Sequence, residues 1–175
     1  MSLIDEYLIP FYGLKEGIYD YEFDAGNDFF ELFDNPDIKG GDLKVYLNLN
    51  RGARFLEFKF KITGHLKVSC DRCLETFNYE TDAENDLIVR FGDEREEVSD
   101  TILIIPGDET RFNVAHYIYE FAALSLPIKR IHPDKPDGSS GCNKEMIDKL
   151  ENLKPSEEDK TDPRWDALKK LKSKK

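Results

Sequence analysis

Leu43-Lys44-Val45-Tyr46-Leu47-Asn48-Leu49-Asn50-Arg51-Gly52-Ala53-Arg54-Phe55-Leu56-Glu57-Phe58-Lys59-Phe60-Lys61-Ile62 is the run that decides the fold. Leu43, Val45, Leu47 and Leu49 alternate with Lys44, Tyr46, Asn48 and Asn50. Successive strand side chains point to opposite faces, so this is a half-buried strand. Asn50-Arg51-Gly52 turns the chain, after which Leu56, Phe58, Phe60 and Ile62 share one face against Glu57, Lys59 and Lys61. Two alternating runs around a short glycine turn predict a β-hairpin.

Beyond the hairpin, the even-numbered face continues past Gly64 through Leu66, Val68 and Cys70. A long strand bent at Gly64 therefore delivers Cys70 to the edge of the core. There the pattern breaks into Val68-Ser69-Cys70-Asp71-Arg72-Cys73-Leu74-Glu75-Thr76-Phe77. A Cys-x-x-Cys turn brings two sulfurs to one side, as one metal ion or one redox pair needs. Thr76, Phe77 and Tyr79 favour extended chain after the turn. This suits a zinc knuckle better than the strand-to-helix setting of a thioredoxin-type redox motif.

A structural zinc wants four ligands. The third cysteine, Cys142, closes the loop Ile131–Cys142, which also carries His132. The candidate metal set is Cys70, Cys73, Cys142 and His132, with His65 and His116 competing for the fourth place. The bland alternative is three free, reduced thiols.

Upstream, Ile18–Asp24 alternates as a strand, and Asn27 is positioned to cap a short helix over Asp28–Phe33. Downstream, Tyr79 opens an extended run, Leu87–Phe91 reads as a further strand, Gly92–Glu97 as an exposed acidic loop, and Thr101–Ile105 as a short buried strand ended by Pro106-Gly107. Asn113 is placed to cap a helix over Val114–Ala123, with Val114, Tyr117, Ile118, Phe121 and Ala122 at helical spacing and His116 off that stripe. Leu124–Ile128 reads as extended chain, because Pro127 disfavours helical geometry before it. Asn143 can cap a helix through Met146, Ile147, Leu150 and Leu153. Pro155–Thr161 reads as a linker, and Asp162-Pro163 opens an amphipathic helix carrying Trp165, Leu168 and Leu171. These signals predict one α+β domain over residues 1–153, with a charged linker and short helix over 154–175. Its fold is a curved, mainly antiparallel sheet or partial barrel, one packed helix and short C-terminal helices. Leu43, Val45, Leu47, Leu49, Leu56, Phe58, Phe60, Ile62, Leu87, Val89, Tyr117, Ile118 and Phe121 are the expected core.

The 175 residues carry a net charge of −11, unfavourable for bulk attraction to nucleic acid. Ten of the 25 basic and eight of the 36 acidic residues lie from Lys144 onward, which leaves 15 against 28 in the chain before it. That acidic body suits a basic protein partner, and the lysine-rich end suits phosphate. No secretory signal or bilayer-length apolar run is read, so the expected compartment is the cytoplasm, without disulfides and without a membrane.

Cys70-Asp71-Arg72-Cys73-Leu74-Glu75-Thr76-Phe77, Leu124–His132, Cys142 and Asp162–Leu171, in that order, resemble the YceD-like proteins. These are bacterial and plastid factors implicated in large-subunit ribosomal RNA accumulation and often encoded beside a ribosomal protein gene. Tyr7–Phe11 and Tyr117–Phe121 look like the Bacteroidetes-type branch. The resemblance implies a non-catalytic role in ribosome biogenesis, through a ribosomal protein, a large-subunit precursor particle or rRNA, and it carries over no catalytic residues. Arg72, Lys129 and Arg130 are the candidates for partner or RNA contact; the bland reading makes them surface charges, Arg72 paired with Asp71 or Glu75. A zinc-dependent hydrolase or nuclease, with Cys70, Cys73 and Cys142 holding the ion and Glu75 as base, is the alternative function. A thiol redox sensor using Cys70 and Cys73 is another. Oligomeric state is not legible in the sequence.

Overall fold

The computed structural model describes residues 3–33 and 35–153. The chain divides into two compact units, Met1–Cys142 and Asn143–Lys175. In the first, a 3-10 helix (Leu3–Tyr7) leads into β1 (Leu8–Pro10), β2 (Gly17–Ala25), α1 (Asn27–Phe30), β3 (Ile38–Arg51), β4 (Phe55–Ser69), β5 (Thr76–Gly92), β6 (Glu96–Ser99), β7 (Ile102–Pro106), β8 (Arg111–Asn113) and α2 (Ala115–Leu124). In the second, α3 (Lys144–Asn152) is capped by Asn143, whose side chain accepts from the Glu145 and Met146 amides.

Six strands form one open mixed sheet in the order β2-β3-β4-β5-β7-β6, and β1 pairs with β8 in a separate ribbon. The central hairpin has the expected register: Val45 lies opposite Ile62, Leu47 opposite Phe60 and Leu49 opposite Phe58. Among the described strands only β5 and β7 run parallel, so the α+β, mainly antiparallel expectation holds, with the sheet left open.

One face of the sheet makes the core. Leu43, Leu49, Leu56, Phe58, Ile62, Leu66 and Val89 are almost wholly removed from water, and Ile118 and Ala122 of α2 pack against the same cluster. Every expected core residue is there, although Tyr117 is only partly covered. Gly64 has φ +136°, and a Cβ at this position would collide with the Asp42 carbonyl oxygen. Only glycine tolerates both the backbone angle and so close an approach of β3.

Several expectations are corrected. Asn27 does not cap α1: Gly26 holds that position, and the Asn27 side chain accepts instead from the Gly41 amide and the Lys67 ammonium. Its reach across to β3 and β4 outweighs a local bond. The runs beginning at Tyr79 and Leu87 are one 17-residue strand, because Thr81, Ala83 and Asn85 keep its period without adding apolar signal. The acidic segment is not all loop, since Glu96–Ser99 adds a fully exposed edge strand to β7. Asn113 lies in β8 and accepts from the Ala115 amide one step before the helix proper, whose N-cap is Val114. Leu124–Ile128 is not a strand. The helix runs through Leu124, the Ser125 hydroxyl donates back to the Ala122 carbonyl (2.6 Å), and the chain then crosses the surface with Ile128 fully exposed. The final helix expected from Asp162 lies outside the described residues. Among the described residues, no helix is long and apolar enough to cross a membrane.

Candidate metal centre

The Cys-x-x-Cys turn sits where β4 has ended and β5 has not begun. The Cys70 amide donates to the Glu75 carbonyl (2.9 Å) and the Leu74 amide to the Cys70 carbonyl (2.9 Å), which closes the knuckle. Leu74 adopts φ +64° to make that closure, a left-handed conformation that costs a non-glycine residue about 1 kcal/mol or more. The Arg72 amide points at the Cys70 sulfur (3.4 Å).

The second segment is tied on through backbone. The Asp71 amide donates to the Arg130 carbonyl (2.8 Å), and the Arg130 amide donates to Oδ2 of Asp71 (2.7 Å). The Arg130 guanidinium also reaches Asp37 (3.3 Å) and Asp71 (3.6 Å). This clasp sets His132, two residues on, over the knuckle, and its ring packs on Phe77 with centroids 4.7 Å apart. The loop then folds on itself. Gly138 takes φ +78°, Asp137 accepts from the amide and hydroxyl of Ser139, and the Lys135 amide donates to the Ser139 carbonyl. Gly141 returns so close to Pro133 that a Cβ would strike the Pro133 carbonyl oxygen. Cys142 is thereby brought beside His132, its amide bonded to the Ser140 hydroxyl (3.2 Å).

The result is one cluster. Ligand atoms of Cys70, Cys73, His132 and Cys142 all lie within 4.8 Å of one another. Cys70 Sγ is 3.8 Å from Cys142 Sγ, and Cys73 Sγ is 3.4 Å from His132 Nδ1. All three cysteines are buried and unpaired by any disulfide. Burial pushes the Cys70 thiol up, but amides of Cys73, Arg72 and His132 and the His132 ring outweigh it and bring the group down to about 6. Burial, and then the neighbouring Cys70 sulfur, push the Cys142 thiol up, against the Ser140 hydroxyl. A group of three thiols and one imidazole in contact can hold a metal ion.

The other sequence candidates stand apart from the cluster. His116 is exposed and pairs with Glu120 at 3.0 Å. His65 lies mid-strand in β4, opposite Glu80. Arg72 and Lys129 are exposed at the rim. Asp71 does not serve Arg72 as a partner; it engages Arg130. Arg130 was a candidate contact residue, yet its side chain is mostly covered and bridges two aspartates within the fold. Sequence reasoning missed the clasp residues Asp71 and Asp37, and it missed Phe77 as a support for His132. The signal available for Asp71 was an Asx residue at the apex of a turn, a type that often bonds backbone nearby; here the backbone lies 59 residues away.

Residues 58–172, more than half of the chain, match the family model described as large ribosomal RNA subunit accumulation protein YceD. Neither the curated proteins nor the solved structures yield a match.

Proposed function

The chain belongs to the YceD family of large ribosomal RNA subunit accumulation proteins, and from that premise we propose that it is a non-catalytic factor in large-subunit ribosome biogenesis, built around one structural zinc ion. The family match carries the role. It spans the knuckle, Arg130, His132 and Cys142 together, so all four cluster residues lie inside the matched range.

The donor geometry supports zinc. A tetrahedral ion with zinc–sulfur bonds of about 2.3 Å and a zinc–nitrogen bond of about 2.0 Å separates two sulfurs by about 3.8 Å and a sulfur from a nitrogen by about 3.5 Å. Two of the six donor separations match these values, Cys70 to Cys142 at 3.8 Å and Cys73 to His132 at 3.4 Å, and all six lie within 4.8 Å. A hydrolytic zinc keeps one position for water. With His132 supplying a fourth donor, this cluster suits a closed site better than one served by Glu75. Bound zinc would hold the knuckle and the 130–142 loop as one rigid edge, presenting Arg72 and Lys129. In a body that is otherwise acidic, that edge is the natural place for rRNA phosphate, while the acidic surface suits a basic ribosomal protein.

Affinity purification of the full chain at low salt, with bound protein and RNA identified, tests the role. Large-subunit precursor particles are the expected catch. The Arg72→Glu/Lys129→Glu variant should recover less of their RNA. Recovery of unrelated enzymes alone would overturn the assignment. Metal analysis tests the second element: one zinc per chain favours the structural reading over a thiol redox sensor.

A further inference from the structure

β4 flanks β5 from Thr76 to Arg90, but on the other side β7 joins only from Ile88 onward. The stretch before Ile88 is therefore a sheet edge, and the hydrogen bonds at its two ends fix which groups face outward. The Ile88 amide donates to the Thr101 carbonyl, away from β4, whereas the Glu75 carbonyl accepts from Cys70 on the β4 side. The β4–β5 register runs without a shift between Ser69↔Thr76 and Phe55↔Arg90. Backbone direction alternates along a strand. Asn78, Glu80, Asp82, Glu84 and Asp86 thus turn their N–H and C=O groups to an edge that no described strand of this unit pairs with.

The same residues place their side chains on the solvent face, and all five are exposed. Four consecutive positions of that row are acidic. From β4, Lys61 bonds Glu84 (3.0 Å) and senses Asp82, and Lys59 neighbours Asp86. On the open side no described strand of this unit supplies a cation. The alternate residues Phe77, Tyr79, Ala83 and Asn85 face inward and are half-covered.

An unpaired edge is a template for another strand, and the row of carboxylates selects which one. A second copy of this chain, at a net charge of −11, would set acid against acid across the new pair, which is destabilising. We propose that the β5 edge from Asn78 to Asp86 receives one extended segment of a basic protein. Its alternate lysine or arginine side chains lie over the acidic row, and its intervening apolar side chains lie beside Tyr79 and Ala83. This deepens the ribosomal reading by giving the basic partner a docking mode, and it rests on that reading for the partner's biological class.

The test uses the purified full chain and a short synthetic peptide of alternating lysine and valine, with a peptide of the same composition in two blocks as control. The alternating peptide should bind and slow hydrogen exchange at the amides of Asn78, Glu80, Asp82, Glu84 and Asp86. The blocked peptide, which cannot keep its lysines on one face, should not. Glu80→Lys/Asp82→Lys should weaken binding roughly tenfold, and Glu22→Lys/Asp24→Lys, on the opposite sheet edge, should leave it unchanged. Equal binding of both peptides, no binding, or protection at β2 instead would overturn the proposal. So would protection of these amides without peptide, whether it grows with protein concentration, pointing to a second copy, or vanishes when the lysines from Lys169 onward become glutamine, pointing to the chain's own end. The protection map of the unaltered chain decides even where a variant fails to fold. A chain that recovers precursor particles but ignores the peptide loses this edge and keeps its role; one that binds the peptide but recovers no particles does the reverse.

Discussion

On the proposed zinc reading, removing the metal should weaken the fold by an amount that follows from how far apart the donors lie in the chain. Cys73 and His132 are 59 residues apart and Cys70 and Cys142 are 72 apart. In the unfolded chain the Cys-x-x-Cys pair can still hold zinc, but recruiting His132 and Cys142 requires closing that long loop. With 59 residues the closure term is (3/2)RT ln n, about 3.6 kcal/mol. The folded chain has already closed it, so it should bind zinc roughly 400-fold more tightly than the unfolded chain, and saturating zinc should stabilise it by about the same 3.6 kcal/mol. Urea denaturation with and without a chelator reads this directly. At a slope of roughly 2 to 3 kcal/mol per molar, the stripped protein should unfold about 1 to 2 M earlier. His132→Ala/Cys142→Ser, which removes both distant donors, should abolish most of the shift, whereas His116→Ala, a change to an exposed residue outside the cluster, should keep it. Coincident curves for loaded and stripped protein, or an unchanged shift in His132→Ala/Cys142→Ser, would refute the reasoning.

Three further outcomes are expected. Gly64→Ala forces a Cβ onto the Asp42 carbonyl at φ +136° and should cost roughly 1 to 3 kcal/mol or more, measured from the denaturation midpoint. Asp71→Ala removes the carboxylate that accepts from the Arg130 amide; it should destabilise by about 1 to 3 kcal/mol and speed zinc loss to a chelator, and an unchanged release rate would show the clasp to be idle. In the metal-free chain the Cys70 group lies near 6, below the ordinary thiol value of about 8.5. Its thiolate therefore adds stability that is full above the ordinary value and is lost as pH falls through 6. Cys70→Ser should remove that dependence from a series of denaturation curves between those limits.

The hairpin was legible because Leu43–Asn50 and Leu56–Ile62 each carry the strand period, and period alone assigns the faces. The cluster was legible because sulfur chemistry narrows the choices: three cysteines and one nearby histidine leave few combinations, and the geometry brings those four together. Pairings set by distant chain were hidden. Asn27 looks like a helix cap in its own neighbourhood, yet it bonds Gly41 and Lys67. Glu96–Ser99 has only Val98 as a strand former; it is extended because Leu103 and Ile104 offer it an edge. Arg130 reads as a free cation until Asp37 and Asp71 are brought beside it by strands that meet only in the folded sheet.

The ribbon of β1 and β8 bears on how the molecule comes into being. Leu8, Ile9 and Pro10 pair with Asn113, Phe112 and Arg111, and Ile9 is almost fully buried once they do. During translation the first of these strands leaves the ribosome long before its mate, at a pace of roughly 5 to 20 residues per second. For several seconds the nascent chain must carry Ile9 and Phe11 without their partners Phe112 and Phe91, which are not yet made. The β3–β4 hairpin can form meanwhile, so β1 waits for its partner strand longer than the central hairpin waits for its own.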